Sequence, residues 1–221
     1  MVAMASVPVL GFMALSSAAA ALYVGRMVLR TVAPRRGAMA GASVTSIEWF
    51  PEGDVGRVVG VTVAVGPPLT APLTGRACVG YQLEVVSSDD DDRAVLVHEA
   101  AWRSFEVVDA TGRALVRYDG DDALLDLPTV ITSSGLGDDA DAAEQAILAR
   151  HGHVAGARAL SYRERAIVVG ELVSVRGVGV RQRDPSPTVI DLGRGPPPTQ
   201  LVLASAPHQR LAISTRPSDL A

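Results

Sequence analysis

The chain contains no lysine. All 20 of its basic residues are arginine, which excludes Schiff-base chemistry, a phosphate-loop lysine and ubiquitin acceptance on its own side chains. Cysteine occurs once, as Cys78, and one thiol closes no internal disulfide. No Gly-x-Ser-x-Gly, phosphate-binding glycine loop or His-Glu-x-x-His motif occurs. Positive charge is scarce beyond the N-terminal part. Four arginines precede Glu48; the remaining sixteen face 24 Asp and Glu, a surplus of eight negative charges. Nucleic acid is therefore not an expected partner, because affinity for it comes largely from a positive surface meeting phosphates.

What the N-terminus does have is a long apolar run. Val2 through Gly25 is 24 residues without a charge, and about 20 apolar residues at 1.5 Å each cross a hydrocarbon core. A transmembrane helix anchored in the lipid bilayer is expected there. The alternative, a cleaved secretory signal, wants a positive region before a shorter apolar run, and no Lys or Arg precedes Arg26. Arg26, Arg30, Arg35 and Arg36 follow the run, and basic flanks are retained on the cytoplasmic side. The expected division is an anchor with its basic flank over 1–33, a linker over 34–49, a β domain over 50–216 and a tail over 217–221. About 175 residues beyond the anchor suit one core of ordinary size.

Strand signals dominate that domain. Val59, Val61, Val63 and Val65 share one face of a strand, with Gly60, Thr62 and Ala64 on the other. Residues 78–87 form a second strand, 89–92 an acidic turn and 93–98 the return. A hairpin pairs 104–108 with 113–118 around Asp109-Ala-Thr-Gly112, where Asp bonds its own backbone and Gly tolerates positive φ. One helix is expected over 141–150: Asp141 caps it with Glu144 three residues on, Arg150 suits its last turn and Gly152 ends it. Ala143, Ala146 and Ile147 supply its apolar side. Strands over 160–169 and 171–183 follow. In the latter, Val173 and Val175 have one parity and Val178 and Val180 the other, which predicts a β-bulge at Gly177. Loops at 184–187 and 193–198 and short strands at 201–203 and 211–213 close the domain. The fold class is mainly β: a barrel or sandwich of eight to ten strands with one short helix.

Several of these segments resemble a known family. The stretch Leu69-Thr-Ala-Pro-Leu-Thr-Gly-Arg-Ala-Cys78 leads into Val79-Gly-Tyr-Gln-Leu-Glu-Val85. The run WRSFEVVDATGRALV (102–116) joins an aromatic-rich strand, an Asp-x-Thr-Gly turn and a return strand. The Gly-rich strand at 168–177 and the Ile-Ser step in 211–215 come in the same order. Together they resemble the GIDE ("beside a membrane", BAM) domain of mitochondrial RING-type ubiquitin ligases and of bacterial homologues, over about residues 50–216. The resemblance implies a β domain beside a membrane. The mitochondrial members hold it between two spans, whereas nothing after residue 25 here is long enough for a second one. Their ubiquitin transfer depends on a RING with two zinc ions held by a set of Cys and His ligands. One Cys and four His cannot supply it, so an E3 ligase function is carried by the family name alone.

The candidate chemistry is sparse. Cys78 reads as a buried packing residue; a nucleophile with His98 as base needs a lowered pKa and contact between the two. His151 and His153, beside the helix-ending glycine, read as a solvated turn rather than metal ligands. The run 89–92 lacks a calcium loop's ligand spacing and glycine. Asp109-Ala-Thr-Gly112 has one residue more than an aspartic-protease turn and no second copy. No catalytic residue, metal or cofactor is expected. What remains is the Pro-rich connection at 69–76, where Leu73, Thr74, Gly75 and Arg76 are the candidate partner-binding residues. Arg76 either offers its guanidinium to a carboxylate or phosphate or pairs with an acid of a neighbouring strand. The expected protein is a single-pass protein of a bacterial inner membrane, its domain facing the cytoplasm. It acts as a non-catalytic binding module for a protein partner or, alternatively, as a homo-oligomeric scaffold.

Overall fold

A computed structural model of the chain describes residues 39, 41–87, 94–118, 123–134, 140–154, 159–185 and 198–220. The expected span and the acidic turn at 89–92 lie outside them, as does most of the two loops expected between 184 and 198. Among the described residues, no helix is long and apolar enough to cross a membrane.

The fold is mainly β. Twelve strands run through the described residues: β1 (Val55–Ala64), β2 (Leu69–Thr70), β3 (Ala77–Ser87), β4 (Val95–Trp102), β5 (Phe105–Val108), β6 (Arg113–Val116), β7 (Leu124–Asp126), β8 (Val130–Ser134), β9 (Leu160–Val168), β10 (Leu172–Arg183), β11 (Thr199–Ala204) and β12 (Ala212–Ser214). One α-helix, α1 (Ala142–Arg150), lies between β8 and β9. Strands exceed the expected eight to ten: β2 and β7, of two and three residues, are too short to show alternation, and β8, of five, also lies outside the expected segments.

Five strands close on themselves. β1 pairs with β5, β5 with β6, β6 with β11, β11 with β10, and β10 with β1 again. Every pair in this ring is antiparallel except β6–β11. Beyond the ring, β12 takes the edge of β10 next to β11, and β7 pairs with β12 in parallel. Val58, Phe105, Val107, Val116, Val173, Val175, Leu201 and Leu203 fill the interior.

Closing so small a ring decides which face of β1 turns inward. The valine face does not: Val61, Val63 and Val65 are exposed, and Val58, Gly60 and Thr62 are buried. Gly60 is required because a Cβ there would lie 2.5 Å from the Val108 carbonyl oxygen of β5. The bulge expected at Gly177 is absent, since β10 keeps one register against β1 and another against β11 without a break. Its inward positions simply pass from Val173 and Val175 to Gly177 and Gly179, so the valines beyond face outward. The glycines make room: a Cβ on Gly179 or Gly56 would lie 2.3 or 2.5 Å from the buried Phe50 ring.

The second sheet has β3 at its centre, with β9 on one edge and β2 and β4 on the other; β8 adds beyond β9. α1 covers one face, burying Ile147 and Leu148 against Leu83, Val85, Val97, Leu160 and Tyr162. The capping box forms as expected: the Asp141 carboxylate accepts from the Glu144 N–H at 2.9 Å, and Glu144 reaches back to the Asp141 N–H. The buried side of α1 is Glu144, Ile147 and Leu148, whereas the expected Ala146 is exposed. Ile147 and Leu148 dominate because burial scales with apolar area. At the far end of β3, Val79 joins the barrel core with Ile167 of β9, and a Cβ on Gly80 would sit 1.8 Å from the Trp102 ring. Trp102 stacks on Tyr118 with centroids 5.1 Å apart.

The domain extends past its expected bounds at both ends. Met39 and Ile47, from the expected linker, are buried, and the Thr45 N–H bonds the Arg57 carbonyl at 2.8 Å. In the expected tail, the Asp219 carbonyl accepts from Arg57 and its carboxylate accepts from the Ser214 hydroxyl. The 105–116 hairpin forms as expected, but Gly112 is not among the glycines with positive φ. Asp109 builds the turn instead, its Oδ1 accepting from the N–H groups of Thr111 and Gly112 and from the Thr111 hydroxyl. Those bonds, with one from the Ile47 N–H, outweigh the upward pull of burial and hold the Asp109 carboxyl below its ordinary value.

Candidate functional site

The connection from β2 to β3 is a closed turn. The Ala71 N–H bonds the Arg76 carbonyl at 3.0 Å and the Gly75 N–H bonds the Ala71 carbonyl at 2.9 Å. Gly75 takes φ +68°, strained for any residue with a side chain. Beneath the turn lies a carboxylate from β9. Glu164, only 1% exposed, accepts from the Leu73 N–H at 2.7 Å through Oε2 and from the Thr74 hydroxyl at 2.6 Å through Oε1. The four candidate residues therefore divide by role. The Leu73 side chain packs against the core under α1, Thr74 ties down the turn, and Gly75 and Arg76 are exposed. Arg76 pairs with Glu171, which follows β9, and both side chains are about half exposed.

On the same face of the second sheet, Tyr81 of β3 donates to Glu99 of β4. The other Glu99 oxygen meets His151 Nε2 at 2.8 Å and Arg150 Nη2 at 3.4 Å. Burial pushes Glu99 up, but the hydrogen bonds from Tyr81 and His151 and the charge of Arg150 outweigh it and lower its pKa. Burial, together with the bond to Glu99, raises Tyr81 to about 12. His153 Nε2 reaches the Leu96 carbonyl at 3.0 Å. The two histidines thus fasten the end of α1 to β4 from a turn in which His151 and Gly152 are exposed to solvent.

Cys78 is fully buried, and that burial, with the nearby Glu164 charge, raises its thiol to about 11. His98 sits on β4 opposite Glu84, six positions along β3 from Cys78, or about 20 Å at the rise of a strand. The fold does not bring them together. No set of three potential metal ligands gathers among the described residues.

Glu164, Tyr81 and Glu99 are not among the site residues the sequence points to, yet for the two glutamates a signal is present. Glu164 follows Leu160 and Tyr162 on the apolar parity of β9, and Glu99 follows Val95 and Val97 on that of β4. A carboxylate on the inward parity of a strand must find donors, because burying an unpaired charge costs several kcal/mol. No protein-family model, curated protein or solved structure matches this chain.

Proposed function

We propose that this chain is a membrane-anchored, GIDE-like interaction module that engages a protein partner through the 69–76 turn. The observation that carries the reading is Glu164. A buried carboxylate bonded to Leu73 and Thr74 holds an exposed turn in one shape, and a preorganised turn loses little freedom on binding. Gly75 and Arg76 are the contact points, with Leu73 and Thr74 as the brace. Anchoring rests on the uncharged run from Val2 to Gly25 and the arginines after it.

Carbonate washing of native membranes should leave the protein in the pellet, and release would remove the anchor. A photo-crosslinker at the exposed Ala77, beside the turn, should yield one dominant adduct that Arg76→Ala diminishes. Equal yield from a crosslinker at Val154 would defeat the turn as the binding face.

A second reading, a homo-oligomeric scaffold, is favoured by β8. Among the described residues β8 pairs only with β9, and Val130 and Ile131 on it are exposed, the latter at 61%. An uncharged edge strand of this kind invites pairing with another copy. Light scattering on the detergent-solubilised chain separates the two, since a monomer at working concentration rules the scaffold out.

A further inference from the structure

The segment 44–54 is locked to the barrel at three places. The Ile47 N–H donates to Asp109 Oδ2 at 2.9 Å and the Glu48 N–H to the Thr111 hydroxyl at 3.1 Å. Arg181 of β10 bonds the Ile47 and Glu48 carbonyls at 3.0 and 2.6 Å. The Gly53 N–H bonds the Gly179 carbonyl, and the Gly179 N–H bonds the Asp54 carbonyl. Ile47 and Phe50 are buried, and between them Trp49 stands 74% exposed. A loose loop would fold so large an apolar ring inward. This one cannot, because Phe50 already occupies the groove left by Gly56 and Gly179. An indole held outward on a rigid support has the character of a binding hot spot.

Its surroundings say what it suits. Glu48, Glu52 and Asp54 are exposed in the same segment, Glu52 Oε1 accepting from the Arg181 N–H at 3.2 Å, and Asp109 lies under it. The nearby cation, Arg181, is engaged with backbone carbonyls. An acidic rim around an indole favours a cation, and arginine fits best, stacking on the ring within about 6 Å while pairing with carboxylates. Tryptophan also gathers at bilayer interfaces, but anionic headgroups repel this rim. We propose that Trp49 and its acidic rim form a docking point for an arginine-bearing segment of a partner protein. This surface lies apart from the 69–76 turn and stands whether or not that turn binds anything.

The test uses the full-length chain in non-ionic detergent, titrated with a fluorescein-labelled nona-arginine peptide and read by fluorescence polarisation. Saturable binding should weaken about tenfold or more with Trp49→Ala, and likewise with Glu48→Gln combined with Glu52→Gln. It should persist largely in Trp49→Phe and in Glu171→Gln, which removes an acid elsewhere. Equal weakening by Glu171→Gln and Trp49→Ala would overturn the proposal, since it signals diffuse attraction to an acidic protein. Binding that Trp49→Ala leaves unchanged overturns it as well. If Trp49→Ala melts well below the parent, the glutamine pair and Trp49→Phe carry the comparison alone. A lipid role is separated by reconstitution into phosphatidylcholine liposomes with and without phosphatidylglycerol. A blue shift of indole emission on adding phosphatidylglycerol, absent in Trp49→Phe, assigns the residue to the bilayer and overturns the proposal.

Discussion

The barrel and the helix-covered sheet meet where Val79 of β3 and Ile167 of β9 enter the barrel core, but they are held together differently. In the barrel, the tightest contacts are steric: Gly56, Gly60, Gly177 and Gly179 give up their side chains so that Phe50, Leu211 and the neighbouring strands can approach. Under α1, carboxylates carry much of the structure. Glu164 braces a turn, Glu144 caps the helix, and Glu99 collects Tyr81, His151 and Arg150. One region should respond to volume and the other to protons.

The largest effect should come from the barrel. Phe50→Ala should cost about 3–5 kcal/mol, or roughly 6–20 °C in melting temperature at 2–4 °C per kcal/mol. Gly179→Ala in the parent should also destabilise, because its Cβ strikes the ring. In the Phe50→Ala background it should cost far less, a coupling that a double-mutant cycle reads directly. Additive costs would mean that ring and glycine are not in contact.

The carboxylate region ranks next. Glu164→Leu strands the Leu73 N–H and should cost about 1–3 kcal/mol. Hydrogen exchange should rise in the 71–76 turn and not in β5 or β11. Uniform loss of protection would contradict separate support of the turn.

Proton dependence sharpens the contrast further. The folded pKa of Glu99 lies below its ordinary 4.5, so its stabilisation is full above that value and is lost as pH falls through the folded one. Tyr81 is raised from 10.0 to about 12 and Cys78 from 9.0 to about 11. Their stabilisation is full below the ordinary values and is lost as pH rises from about 9 to about 12. With no lysine in the chain, that alkaline window is left to tyrosine and cysteine. Glu99→Gln should flatten the acid limb of melting temperature against pH, and Tyr81→Phe the alkaline limb. An alkaline limb unchanged in Tyr81→Phe would discard the Tyr81–Glu99 bond as its source.

The smallest effect is at the turn's surface. Arg76→Ala removes a half-exposed ion pair worth about 0–1 kcal/mol, so melting should move by no more than about 4 °C. A drop of ten degrees or more would make Arg76 scaffold and withdraw it from the binding face.

Local signals in the sequence were reliable where a few adjacent residues settle the matter. Asp141 and Glu144 are three apart and cap α1; Asp109 reaches its own turn and makes the 105–116 hairpin. The buried Cys78 was legible from its apolar strand. The bulge at Gly177 failed for a physical reason. Alternation of valines reports the inward face only when side chains fill it, and in β10 glycines take over that face to admit Phe50 and Leu211. At the candidate turn, the sequence located Leu73, Thr74, Gly75 and Arg76, but not what supports them. Glu164 lies 91 positions from Leu73, beyond the reach of any local rule.

By itself, then, the sequence determined the mainly β character, the helix with its cap, the hairpin turn and the deficits of lysine and cysteine, all of which depend on composition or on neighbours within four residues. Tertiary structure alone decided that β10 returns to β1 to close a ring, that the valine face of β1 turns outward, and that Glu164, buried, and Glu99, half-buried, sit among donors. Strand partners are chosen by matching faces and backbone groups across scores of residues, and the closeness a small barrel demands is met by side chains that are missing, which alternation cannot register.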